Sequence, residues 1–257
     1  MRVTIFTRNQ PRHLALVQRF STIADTVYAV LECRSVVLKA SEPESIMKHY
    51  SLRMRKAEID MFGEIDFLPT NVHVLPVAAN DISSLEVGIL TDALESDVII
   101  VFGASYIREP LAGALIENGA INIHMGISPY YRGSMCNFWA LFDGQLDLVG
   151  ATIHRLSRGL DSGNILFHVL PGDGDYGPFE FGMRAVDAAQ RELLKHAACG
   201  DLDRCIDVAQ DDNFLIRYSR AREFTEQVAQ EFLDRYPNEN SCIKVSGGRS
   251  KYRYVTI

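Results

Sequence analysis

"DVIIVFG", residues 97–103, is apolar at every interior position from Val98 to Phe102. Strict alternation would mark a strand with one wet face. An unbroken run rich in β-branched residues marks a strand covered on both faces, as in the middle of a parallel sheet. The same texture recurs outward from it, in "RVTIF" (2–6), "YAVLEC" (28–33), "NVHVLPV" (71–77) and "AINIH" (120–124). Helix-forming stretches lie between these runs, at about 11–24, 43–62, 82–94 and 109–118. Strands separated by helices build βαβ units, so the sequence predicts an α/β fold with a doubly wound, mostly parallel sheet.

The boundaries carry local signals. Asn80, Asp81 and Ser83 offer alternative caps for the 82–94 stretch. Gly144 is placed to close the segment "SMCNFWALFD" in a left-handed conformation. From 177 to 200, Phe179, Met183, Val186, Leu193 and Ala197 recur three, four or seven apart, which predicts one long amphipathic helix. "GATIHRL" (150–156) and "GNILFHVL" (163–170) read as a strand pair bracketing the loop "SRGLDSG". A more polar tail follows residue 200, with a helix near 221–235. It ends in "SCIKVSGGRSKYRYVTI" (241–257), a hairpin pattern around Gly247 and Gly248.

Composition narrows the function classes. A hydrophobic fraction of 47% and a charged fraction of 23% are those of a soluble globular protein, and no apolar run approaches the roughly 20 residues of a membrane span. The N-terminus enters a strand without a signal-like apolar region, and the five scattered cysteines form no CxxC pair. A reduced, cytoplasmic protein is therefore expected. The net charge of −7 lacks the basic footprint of a nucleic-acid binder; "KHYSLRMRK" (48–56) reads as a solvated helix face.

In a doubly wound sheet, ligands bind at the carboxyl ends of the strands near the switch point. Asn122 and His124 lie at such an end, and so does "FGASYI" (102–107). The loop "RGLDSG" adds Asp161 between Gly159 and Gly163, which let the backbone turn tightly and approach a ligand. An Asn, a His and an Asp brought together from separate loops suit acyl transfer. Asn donates to a developing oxyanion, His moves the proton of an attacking amine, and Asp orients the His and raises its pKa. His154 and His168 read as satisfied structural histidines, and Phe138 and Trp139 as core. No His/Cys cluster has metal-ligand spacing, and no nucleophile stands beside a base.

These elements resemble the formyltransferases that use 10-formyltetrahydrofolate. "NIH" (122–124), "PYYRG" (129–133) and "GLDSG" (159–163) follow in the family's order, with Asp161 about 37 positions after His124. The segments "FWALFDGQ", "VGATIHRL" and "YSRARE" are also similar, and the likeness extends over roughly residues 1–225. It implies a Rossmann-like formyltransferase fold, with a catalytic domain at 1–200 and a C-terminal extension of helix and β-hairpin at 201–257. It implies Asn122, His124 and Asp161 as the catalytic trio. The folate would be held by Phe102, Gly103, Ser105, Tyr106 and Ile107 from one loop and by Arg158, Gly159 and Leu160 from another. Formyl would pass directly to an amine through a tetrahedral intermediate, without a metal.

Two departures fall inside the motif: Gly126 and Ser128 stand where the family has Ser and Leu. The loop after the first strand also lacks the Gly-rich phosphate nest of the glycinamide ribonucleotide enzymes. Only about 35 residues follow the shared core, against the further domain with which the methionyl-tRNA enzymes contact tRNA. The hydrolases of the same folate carry a regulatory domain ahead of the trio, whereas this chain opens on its first strand. The nearest resemblance is to the sugar-nucleotide N-formyltransferases, which act on the amine of a nucleotide-linked amino sugar, usually for surface polysaccharide. It implies Tyr130, Tyr131, Arg132 and Gly133 on the acceptor side and a homodimer that includes the C-terminal hairpin. A formyltetrahydrofolate hydrolase, a methionyl-tRNA-type enzyme without its full C-terminal domain and a silent sugar-nucleotide-binding module are the alternatives.

Overall fold

A computed structural model describes residues 1–33, 45–238, 241–246 and 252–256. Each β-branched run forms a strand: β1 (Arg2–Arg8), β2 (Thr26–Cys33), β3 (Val72–Ala78), β4 (Val98–Phe102) and β5 (Ile121–His124). They pair in parallel in the order β3-β2-β1-β4-β5. On β4, Ile100 and Phe102 enter one core while Ile99 and Val101 enter the opposite one. This two-sided burial is what the unbroken apolar run requires. The strand order turns back between β1 and β4, so a crevice opens at their carboxyl ends.

The covering helices start where the caps permit. α1 (Pro11–Ser21) has proline at its first position. α2 (Ile46–Phe62) begins after Ser45, whose hydroxyl accepts from Lys48 N at 3.2 Å. Its basic face is occupied structurally: Arg53 donates to the carbonyls of Tyr236 and Asn238, and Lys56 pairs with Asp60. The 82–94 stretch departs from the single helix expected. It breaks into 3₁₀ turns at Ile82–Ser84 and Val87–Leu90, leaving one α-helical turn, α3 (Thr91–Leu94). Ser83 accounts for the break, because its hydroxyl accepts from Arg108 N at 2.9 Å and donates to the Tyr106 carbonyl at 3.3 Å. Such side-chain bonds compete with helix. α4 (Leu111–Glu117) then leads into β5.

Past β5 come β6 (Tyr131–Gly133) and α5 (Cys136–Phe142), and Gly144 closes α5 at φ 72°. β7 (Ala151–Arg155) and β8 (Ile165–Val169) extend the sheet antiparallel to seven strands. β9 (Gly174–Tyr176) precedes α6 (Pro178–Cys199), the long helix, which buries Met183, Val186, Leu193 and Ala197 as their spacing predicts.

The tail folds back on this body. β10 (Arg217–Ser219) pairs with β6, and α7 (Glu226–Arg235) adds Phe232 to a core it shares with Trp139 and Phe181. β11 (Ile243–Val245) corrects the hairpin expectation: among the described residues its ladder partner is β9, antiparallel. Residues 252–256 run beside β8 instead, with His168 N bonded to the Val255 carbonyl at 2.8 Å and Val255 N to His168 Nδ1 at 2.9 Å. Two separate strand edges draw the two runs apart. The Gly247–Gly248 turn lies outside the described residues.

Candidate active site

At the carboxyl ends of β1, β4 and β5 lies a cleft of about 1220 Å³. Small-molecule pockets are commonly about 300–1,000 Å³, so this volume admits two ligands side by side. Asn122 and His124 alternate along β5 and therefore project to one side of the sheet, into the cleft. The β7–β8 loop brings Asp161 to both. One carboxylate oxygen lies 3.3 Å from His124 Nδ1 and accepts from Asn122 Nδ2 at 3.4 Å. The other accepts from Gly133 N at 3.2 Å.

Asp161 sits at φ 49°, a left-handed conformation costing an L-residue about 1–2 kcal/mol. Neighbouring contacts impose it. Gln210 Nε2 donates to the carbonyls of Asp161 and Gly163, each at 2.8 Å, and clamps the loop from the tail. A Cβ on Gly163 would come within 1.8 Å of the Arg155 carbonyl oxygen, so only glycine lets the loop pass β7 this closely.

The charge state follows from what faces each nitrogen. His124 Nε2 lies 3.1 Å from the Tyr131 carbonyl, which can only accept, so Nε2 carries a hydrogen. Nδ1 faces the Asp161 carboxylate, so it carries one too, and the ring is an imidazolium. Burial pulls the His124 pKa down, but the Asp161 charge, with a smaller contribution from Cys136, holds it well above 6.5. For Asp161, burial opposes ionisation, yet the His124 charge and hydrogen bond bring its pKa to about 2.

His154 behaves oppositely. The pairing of β5 with β7 sets it directly across from Asn122. Its Nδ1 donates to the Arg155 carbonyl at 2.8 Å, leaving Nε2 to accept from Asn122 Nδ2 at 3.0 Å. Burial lowers its pKa to about 4, so it is neutral. The Asn122 amide is thereby fixed with nitrogen toward His154 and Asp161. His154 is thus more than the structural histidine expected from sequence.

The residues expected to hold folate all line the cleft. Phe102 and Gly103 end β4; Gly103 is at φ 64°, and a Cβ there would strike the His13 ring at 2.5 Å. Ser105 commits its amide and hydroxyl to the buried Glu32 carboxylate, at 2.7 and 2.5 Å. Tyr106 is exposed and donates to the Arg158 carbonyl at 2.9 Å, while the Arg158 guanidinium pairs with Glu109, so the two loops are latched together. Ile107, Gly159 and Leu160 complete these walls.

The acceptor-side expectations divide. Gly133 lines the cleft, but Tyr130 and Tyr131 turn into the core. The Tyr131 hydroxyl donates to Asp143, which also takes a two-pronged bond from Arg217. Tyr130 accepts from Arg253 N at 2.9 Å. Arg132 pairs with Asp212 at 2.5 Å and lies over the Tyr218 ring. The Tyr130 and Tyr131 rings are buried in the core rather than lining the cleft. Sequence reasoning missed His154, Gln210 and the thiol of Cys136, which adjoins His124. Alternation along β7 points to His154; nothing local points to Gln210.

The five cysteines are free. Among the described residues no group of three or more His, Cys, Asp or Glu could hold a metal, and no helix is long and apolar enough to cross a membrane.

Known proteins resemble this chain in sequence and in fold. The formyl transferase family model matches residues 31–171, more than half of the chain. A methionyl-tRNA formyltransferase of a Synechococcus species is 26% identical over 48% of this chain; the aligned part is 38% of that protein. Another from Anaeromyxobacter dehalogenans is 35% identical over 29% of the chain and 23% of its own length. This chain therefore spans well under half the length of these curated relatives. The fold is shared with a 4-N formyltransferase from Francisella tularensis (TM-score 0.54, 14% identity, 87% of this chain and 77% of that one). It is shared too with a Helicobacter canadensis N-formyltransferase solved with folinic acid and dTDP-3-aminofucose (TM-score 0.51, 12% identity, 88% and 73%). With the family's sequence model spanning both β5 and the Asp161 loop, the chain belongs to the formyl transferase family.

Proposed function

We propose that this chain is an N-formyltransferase that moves the formyl group of 10-formyltetrahydrofolate to the amine of a nucleotide-linked amino sugar. Asn122, His124 and Asp161 form its catalytic trio. The observation that carries this reading is one carboxylate oxygen of Asp161 within 3.4 Å of both Asn122 Nδ2 and His124 Nδ1. The cleft's volume supports direct transfer, which needs both substrates bound together. The latched loops, with the aromatic face of Tyr106 and the apolar Leu160, offer walls and backbone groups for a flat heterocycle.

The chemistry follows from the charges. The acceptor amine attacks the formyl carbon and pushes a pair onto the carbonyl oxygen. Asn122 meets that oxyanion by giving up its longer bond to Asp161, while the 3.0 Å bond to His154 keeps the amide oriented. His124 enters already protonated, so it cannot first act as the acceptor. Through Nδ1, the nitrogen on the Asp161 side of the cleft, it gives its proton to N10 as the C–N bond breaks and takes the proton shed by the amine, which balances the step. Asp161 stays ionised throughout and holds the ring.

Choice of a sugar nucleotide over tRNA is supported by the acidic chain and by the fold shared with sugar N-formyltransferases. A cytoplasmic homodimer completes the proposal. The test incubates the protein with 10-formyltetrahydrofolate and a panel of nucleoside-diphosphate amino sugars, methionyl-tRNA and no acceptor. Formylation of one sugar amine is expected; formate release without acceptor points to a hydrolase, and formylmethionyl-tRNA points to the other acceptor class.

A further inference from the structure

One of the two motif departures, Gly126, stands at a wall of the site. A Cβ placed on Gly126 would lie 2.5 Å from the Cβ of Cys136 and 2.8 Å from His124 Nε2. Gly126 is not in the left-handed region, so space alone forbids a side chain there. Room exists for one side chain against the Nε2 edge of His124, and residue 136 supplies it. Cys136 is fully buried, lies outside the cleft lining, and its thiol donates to the Gly133 carbonyl at 3.4 Å. Gly133 in turn donates its amide to Asp161. The cysteine therefore touches both the ring and the strand that anchors the ring's counter-charge.

We propose that Cys136 is the positioning residue of His124: its side chain supplies the wall that Gly126 cannot, and keeps the ring between the Tyr131 carbonyl and Asp161. The inference rests on the reading of His124 as the imidazolium of formyl transfer. The polarisable sulfur also favours a charged ring over a neutral one. The other groups facing His124 are fixed by the fold. They are Asp161 from the β7–β8 loop, the His154 ring from β7 at 6.4 Å between centroids, and His168 from β8, which senses the His124 charge. Arg132 on β6 adds positive charge on the His154 side. None of these occupies the Nε2 wall.

Two readouts test the assignment. In protein carrying ¹⁵N-labelled histidine, Cys136→Ala is expected to lower the His124 titration midpoint by about 0.5–1 unit. Formyl transfer should lose about tenfold in kcat with the donor KM unchanged, because the ring is no longer held. Cys136→Ser, which keeps the volume and a polar atom, should recover most of both and guards against simple loss of fold. Gly126→Ser alone should be strongly impaired, and Gly126→Ser with Cys136→Gly should recover in part, since removing the Cβ of residue 136 relieves the 2.5 Å contact. An unchanged His124 titration in Cys136→Ala, or a double variant no better than Gly126→Ser, overturns the proposal. If wild-type protein transfers no formyl group, the functional reading fails, while the titration still decides the role of Cys136.

Discussion

Neighbouring strands β5 and β7 each place a buried histidine in one pocket, with ring centroids 6.4 Å apart, and the two differ in charge. His124 meets a carbonyl on one nitrogen and the Asp161 carboxylate on the other, and is held as a cation. His154 meets a carbonyl on one nitrogen and an amide hydrogen on the other, and burial keeps it neutral. Depth is nearly the same for both, so the partner of the second nitrogen decides. The pairing sets a charged histidine beside a neutral one that fixes the Asn122 amide.

A large expected effect removes the group that His154 serves. Asn122→Ala should cut kcat for formyl transfer by about 10²–10³-fold, the usual loss on deleting one oxyanion donor. A drop below tenfold in steady-state assays would detach Asn122 from the chemistry.

Next comes acid stability, which reads the neutral member of the pair. His154 and His168 both have pKa values lowered to about 4, so the folded protein binds their protons more weakly than the unfolded chain does. Stability should fall as pH drops from about 6.5 to about 4, by up to roughly 3 kcal/mol for each histidine. His124 works oppositely: its contribution is fully present below about 6.5 and is lost as pH rises through its raised pKa. Asp161 contributes above about 3.8 and loses that contribution only as pH falls toward 2. Thermal midpoints across this range check the sign, and His168→Gln should flatten the acid slope by about half if the two histidines share it equally.

His154→Phe should lower kcat about tenfold at unchanged KM, because the Asn122 amide loses its acceptor and can turn. His154→Gln, which can still accept, should restore part of the loss. An equal loss in both variants would make His154 a packing residue and break the contrast with His124.

How much of this was legible in the sequence depended on the range of the interaction. β4 declared its two-sided burial in its own residues, whereas Asn122 and His124 at a strand end and Asp161 between glycines were joined only by the resemblance to a known family. The 82–94 helix was misread because Ser83 bonds to Tyr106 and Arg108, which lie beyond any local window. The burial of Tyr130 and Tyr131 was likewise out of local view. An aromatic pair beside an Arg-Gly looks available to a ligand until Asp143 and Arg217 arrive from elsewhere in the chain. His154 required the β5–β7 register, and Gln210 required the tail's path across the Asp161 loop.

The smallest effect marks the edge of the pocket. Tyr131→Phe should cost about 1 kcal/mol of stability through its lost bond to Asp143, with acceptor KM unchanged. A raised acceptor KM would return Tyr131 to the ligand.

The central claim is that the Asp161 carboxylate keeps His124 charged for formyl transfer. Single-turnover transfer from 10-formyltetrahydrofolate by Asp161→Asn, whose folding is verified by its thermal midpoint, tests it most directly. The account predicts a loss of at least about 10³-fold, because an amide can neither stabilise the imidazolium nor keep it in place. Transfer at near wild-type rate by folded Asp161→Asn would contradict it.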